Sequence, residues 1–349
     1  MVSKPEKVWT TDLQRLSAQK FLVVLILLVP VAMVVALVTG TVTIPLREFF
    51  AALFDSHSQS HVILFQIRLP RILLALSVGL ILASSGAVMQ GLFRNPLADP
   101  SLIGVSSGAS VGASLVIVSI AHFLPPGIHV DMPLIALGAF AGGFAATILV
   151  YRLATSEIGT SVATMLLAGI AISALSGAFN SLLSYVADND MLRRISVWQM
   201  GNLSGANWNS LWLVAVSAVL LLVLFPRDSK SLNALLLGES EARHLGIHVQ
   251  RVKQRLILLT AFGVGVSVAA AGLVTFVGLI IPHLVRLLIG PDHRMLIPCS
   301  ALAGGILLVI ADSIARVVVA PAELPTGIIT ALLGAPFFIG LLIQQRKRV

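Results

Sequence analysis

Ten runs of apolar residues punctuate the chain, at 21–39, 72–89, 102–121, 133–150, 162–185, 211–225, 256–271, 273–289, 296–319 and 327–343. Each approaches the roughly 20 residues that a helix needs to cross a bilayer core. The period-two alternation of a membrane barrel strand is missing. The pattern predicts an all-α polytopic membrane protein with about ten transmembrane helices. Only Gly272 and its neighbours separate the seventh and eighth runs, so that boundary rests on a glycine break. A charged leader at 1–20, without a small-x-small cleavage site, precedes the first run and predicts a retained anchor. The expected organisation is a cytoplasmic segment at 1–20 and one transmembrane domain at 21–349, with a cytoplasmic loop at 227–255.

Composition sharpens this picture. Of 349 residues, 57% are apolar and 11% charged, against about 25% charged in a typical soluble domain. A mean hydropathy of +0.98 excludes disorder as well. Cys299 is the single cysteine; lying in an apolar run, it reads as a packed core thiol. The net charge of +8 would suggest nucleic acid were it not explained by topology. An even number of spans puts both termini on one side. Lys4, Lys7, Arg15 and Lys20 at one end, with Arg346, Lys347 and Arg348 at the other, make that side cytoplasmic. The cytoplasmic side then holds seventeen basic and eight acidic residues, the outer side six and seven. Topology accounts for the positive charge, and no nucleic-acid role is left to support.

The six outer cations are Arg47, Arg68, Arg71, Arg193, Arg194 and Arg316. Pro70 suits a helix start, and three-residue spacing places Arg68 and Arg71 near one face of the outer mouth. Interfacial snorkelling is the bland explanation there, and an i, i+4 ion pair with Asp312 is the bland explanation for Arg316. The functional explanation is an acidic partner that docks outside, since arginine suits bidentate carboxylate contacts. Asp312 is the only carboxylate inside the spans, which disfavours an ion-coupled carrier. His283, beside Pro282, reads as a hydrogen-bonded structural histidine at a proline break. Gly104, Gly108 and Gly112, with Gly138 and Gly142, give G-x-x-x-G steps for close helix approach. Gly104 to Gly108 also spells G-x-S-x-G around Ser106. No strand precedes it, so packing is favoured over a hydrolase elbow. His57 and His61 lack the glutamate of H-E-x-x-H, leaving little case for a metal.

No G-x-x-x-x-G-K-[ST] occurs, so the chain itself is expected to bind no cofactor and to catalyse nothing; ATP and Mg would belong to a partner. The docking candidate for that partner is the segment from Leu232 to Gly238 and from Glu239 to Gly246. It reads as two short glycine-stopped helices carrying Leu235, Leu236, Leu237, Gly238, Glu239, Glu241 and Arg243, the second acidic in its first turn. Three adjacent leucines in a cytoplasmic loop demand cover.

Several stretches, taken in order, resemble the permease subunits of the iron-siderophore, haem and cobalamin family of ATP-binding-cassette importers, of FecCD type. They are Arg68-Leu69-Pro70-Arg71, Ser85 to Gln90, Asn95-Pro96-Leu97-Ala98-Asp99-Pro100 running into Gly104 to Ala109, Leu235 to Glu239 with Ala242-Arg243 and Leu245-Gly246, Phe276 to His283, Ala322 to Gly327, and Leu333 to Pro336. The resemblance implies a type II importer permease fold of ten helices in the bacterial inner membrane. It also implies a homodimer, two ATPase subunits below and a periplasmic substrate-binding protein above. By the same resemblance, Arg68, Arg71 and Arg316 would meet glutamates of the binding protein, and the paired short helices would pass on ATP-driven closure. The fifth helix, Met165 to Tyr185, would line a largely apolar path, with an inner gate in the loop before it at Thr160 and Ser161. That loop departs from the cobalamin permease's small polar run. Ser184 to Asp190, leading to Trp198 to Leu203, looks most like haemin permeases, with ferric siderophores and cobalamin as alternatives. Arg193 and Arg194 at the outer end of the fifth helix would attract haem propionates or the binding protein's acids, with headgroup anchoring as the bland explanation; Met165 and Met200 would touch haem, with adaptable packing as theirs.

Overall fold

A computed structural model describes residues 17–42, 45–55, 57–123, 132–157 and 159–346. Lys4, Lys7, Arg15, Lys347 and Arg348, on which the expected orientation leans, lie outside the described residues. The chain runs through α1 (Ala18–Val38), α2 (Leu46–Phe54), α3 (Gln59–Val62), a π-helical turn (Ile63–Arg68), α4 (Leu69–Leu92), α5 (Val105–Phe123) and α6 (Met132–Ala154). A two-stranded antiparallel ladder follows, β1 (Thr155–Ser156) with β2 (Gly159–Thr160). Then come α7 (Val162–Val186), α8 (Asn189–Gln199), α9 (Trp208–Leu224), α10 (Ser229–Leu235), α11 (Glu239–His244), α12 (Val249–Ala271), α13 (Val277–Ile289), α14 (His293–Val317) and α15 (Thr326–Arg346).

Every expected apolar run finds its helix, in α1, α4 to α7, α9 and α12 to α15. Seven of the helical stretches are long and apolar enough to span; α5, α13 and α15 contribute shorter apolar helices. Gly272, with φ +68°, ends α12. Its left-handed backbone is why the seventh and eighth runs separate there. Helices α2, α3 and α8, the π turn and the small β-ladder were not expected.

Helix α4 is apolar on every side and accordingly sits at the centre, with α9, α12, α13 and α14 around it. It runs antiparallel to α14, with Arg71 beside Asp312 at one end and Gly91 against His293 at the other. These are called below the Arg71 end and the Lys253 end. Helix α5 closes on α6 through Gly108 and Gly112 against Gly138 and Gly142, as the spacing predicts. Gly104 is different. Its φ of +82° ends a 3-10 helix at Pro100–Ile103 and lies outside α5. A nucleophile elbow needs a strand where that 3-10 helix lies.

Pro70 sits in the first turn of α4, as expected, although the helical run reaches back without a break to Gln59. Ahead of Pro70, Leu69 N–H bonds to Leu64 O in the i to i−5 register. In that register Pro70 would serve Phe65 O but has no N–H. The Trp208 indole fills the gap, donating to Phe65 O at 3.2 Å. The π turn and a tryptophan from α9 together absorb the proline.

Candidate functional site

Three places carry the expected chemistry. At the Arg71 end, three guanidinium groups lie inside the subunit, with Arg68 4%, Arg71 5% and Arg316 3% exposed. Arg71 grips Asp312 with Nη2 to Oδ1 at 2.9 Å and Nε to Oδ2 at 3.0 Å, and reaches Glu323 with Nη1 at 2.7 Å. Arg316 stands 3.3 Å from Asp312 and donates to Ala36 O at 3.1 Å. Thr326 donates its hydroxyl to Asp312 at 3.0 Å. Arg68 turns the other way, towards Leu37 O at 2.6 Å, Val38 O at 3.2 Å and Val42 O. The bonds to Leu37 O and Val38 O satisfy carbonyls left open by the C-terminal turn of α1, where a cation is also favoured by the helix dipole.

The expectation that these arginines stand outward is therefore corrected in the single subunit. A desolvated cation needs an acceptor, and each has found one at home. The i, i+4 pair of Asp312 and Arg316 is present. Sequence reading missed that Asp312 is the hub, although a lone carboxylate among nearby arginines was the available signal.

At the Lys253 end, α10 and α11 form the expected pair, divided by Gly238 at φ +130°. Leu235 is buried against the bundle while Leu236 and Leu237 are exposed, Leu237 to 70%. Glu239 and Glu241 occupy the first turn of α11. Arg243 lies 3.9 Å from Glu239, and Lys253 Nζ lies 2.6 Å from it. Asn233 fixes α10 to the start of α14, donating to Asp292 at 2.6 Å and accepting from His293 N–H at 2.9 Å. Nothing in the sequence pattern singled out Asn233, Asp292 or His293.

Between these ends a groove of about 430 Å3 opens between α5 and α7. Its walls include Ser106, Ser107, Ser110, Ser173, Ser176 and Asn180. Ser107 and Ser173 are 3.0 Å apart, and Asn180 donates to Ser110 at 3.0 Å. Hydroxyls stud this lining, whose exposed surface is still mainly apolar. Met165 is 1% exposed and packs in the core. Thr160 is buried in β2, and Ser161 caps α7 by accepting from Thr164 N–H at 3.3 Å. Tyr185 projects from the far end of α7, and Met200 is exposed. Arg193 and Arg194 belong to α8 rather than to the end of α7; Arg194 pairs with Asp190 at 3.0 Å. His283 lies within α13, which continues through Pro282, and its Nδ1 has no partner among the described residues. It is neither at a break nor anchored as expected. His61 is held by Ala52 O at 2.8 Å and packs on Phe65.

Residues 26–344 match the FecCD transport family. The chain belongs to that family. Members are membrane permease components of ATP-binding-cassette importers for haem, cobalamin and metal chelates, and they pair with an ATPase and a substrate-binding protein. This FecCD permease is 48% identical over 283 residues to the hemin transport system permease protein HmuU of Yersinia pestis, covering 81% of this chain and 83% of that one. It is 41% identical over 330 residues to the vitamin B12 import system permease protein BtuC of Salmonella typhi, covering 94% and 96%. Among solved structures, an inward-facing metal-chelate type ABC transporter superposes with a TM-score of 0.82 at 35% identity, covering 94% of this chain and 99% of that one.

Proposed function

We propose that this permease is one half of a homodimer in the bacterial inner membrane that imports haem. The Arg71 end faces a periplasmic substrate-binding protein, and the termini and the Lys253 end face the cytoplasm. Two separate ATPase subunits, which bind the ATP and Mg, sit on α10 and α11, where exposed Leu236 and Leu237 invite cover. Thr160 and Ser161 form the inner gate, at the foot of the path lined by α7.

The observation that favours haem over other cargo is the 48% identity to the hemin permease, against 44% and 41% to two cobalamin permeases. The groove fits this reading, since serine hydroxyls and the Asn180 amide offer donors to propionate oxygens. Cobalamin is the second reading, favoured by the longer match, 94% of the chain. The test is reconstitution of the chain with its own ATPase and binding protein in liposomes, followed by uptake of haem, a ferric siderophore and cobalamin. ATP-dependent haem uptake, at least about tenfold faster than the others, is expected. Preferred uptake of cobalamin would replace haem with the second reading.

A further inference from the structure

At the Lys253 end, the first turns of α12 hold the loop that precedes α7 by its backbone. Lys253 is 1% exposed. Its ammonium donates to Thr160 O at 2.8 Å and to Glu239 Oε1 at 2.6 Å. One turn earlier, the Gln250 side-chain oxygen accepts from Thr160 N–H at 3.0 Å. Residues three apart share a helix face, so both backbone polar groups of one peptide residue are gripped by a single face of α12. Gly159 makes room for this grip. Its φ is +127°, and a Cβ there would lie 2.1 Å from Gln250 Nε2. Two residues after Thr160, α7 begins.

We infer that Lys253, assisted by Gln250, is the strut by which a displacement of α11 is passed to the gate loop and the start of α7. The inference rests on the reading of α11 as the seat of the ATPase. The buried ammonium bridges two elements that otherwise belong to different parts of the chain: the acidic first turn of α11 and the carbonyl of the gate strand. Releasing Glu239 would leave the buried ammonium without its counter-charge, and releasing Thr160 O would leave it with an unmet donor. The three groups therefore move together. The linkage meets the backbone of the gate loop, not a side chain, so Lys253 positions the loop whatever residues line the gate.

The test uses the full complex with its ATPase and binding protein in liposomes, reading ATP hydrolysis and uptake separately. Lys253→Met keeps the unbranched stem, one atom shorter, and removes both bonds. Hydrolysis is expected to stay within about twofold of wild type while uptake per ATP falls about tenfold, a loss in the range of coupling between sites. Lys253→Arg, which restores a cationic donor, is expected to recover most of the loss. Wild-type uptake per ATP in Lys253→Met overturns the strut, and so does a parallel fall of hydrolysis and uptake, which marks a merely structural lysine. Should Lys253→Met fail to assemble, Gln250→Met leaves the buried charge paired. It is expected to lower uptake per ATP by a smaller factor, and an unchanged ratio overturns the strut. A wild-type complex that hydrolyses ATP without uptake would instead strike the importer reading itself.

Discussion

At the scale of the residue, Asp312 decides more than the arginines around it. Asp312 accepts from Arg71 and Thr326 and stands 3.3 Å from Arg316, so neutralising it removes the counter-charge shared by two buried arginines. Breaking a buried pair from one side costs about 3–5 kcal/mol, because the remaining cation stays desolvated. Asp312→Asn is therefore expected to lower the thermal unfolding midpoint of the purified chain in detergent sharply. Glu323, with a side chain 31% exposed, is a solvent-screened partner, and Glu323→Gln is expected to cost no more than about 1 kcal/mol in the same assay. Equal losses in the two variants would remove Asp312 from the centre of the network. The sequence put Asp312 and Arg316 four residues apart, so their pairing was legible. That Arg71, 241 residues distant in sequence from Asp312, completes the site follows only from the antiparallel packing of α4 on α14. Local spacing carries no information about that.

At the scale of the element, small residues set how closely helices approach, and the geometry assigns opposite signs to two glycines. A Cβ on Gly142 would lie 2.4 Å from Gly108 O, a backbone atom in the partner helix. Gly142→Ala must push α5 and α6 apart and is expected to cost about 1–3 kcal/mol. Gly177, in α7, has nothing within 4 Å of a Cβ. There Gly→Ala gains helix propensity, up to about 1 kcal/mol, and is expected to raise the unfolding midpoint. Loss of stability in both would mean that backbone freedom, not helix contact, governs these positions. The ten apolar runs were readable because length and composition dictate a spanning helix. The G-x-x-x-G steps of α5 and α6 were readable because four-residue spacing repeats one face. Gly104 was misread as part of that face, since identical spacing hides a left-handed residue before the helix starts. Helix α8 went unread because its mixed composition imposes no apolar run. The ladder at 155–160 is too short to produce an alternating pattern.

At the scale of the whole molecule, the two ends hold charge in related ways. Arg68 and Arg71 at one end and Lys253 at the other are buried, and each bonds within the subunit. In the network of Arg68, Arg71, Arg316, Asp312 and Glu323, three positive charges face two negative ones. This local cluster therefore carries one surplus positive charge, although Arg71 and Arg316 are internally paired and Arg68 bonds to backbone carbonyls. If the binding protein docks there through its own carboxylates, as proposed, those carboxylates compete with Glu323 for Arg71 Nη1, the outermost of the internal contacts. Glu323→Gln removes the charged competitor and leaves the grip of Asp312 on Arg71 intact. Affinity for the loaded binding protein is then expected to rise by about twofold to tenfold, with the gain shrinking at high salt as screening weakens the attraction. Titration of the reconstituted permease with labelled binding protein, at low and at high salt, measures it. Ordinary deletion of an interface acid that touches the partner would do the opposite and loosen the complex. Weaker docking in Glu323→Gln would thus place Glu323 itself at the contact and leave Arg71 as an internal brace, which a static pair of charges 2.7 Å apart is equally built to be.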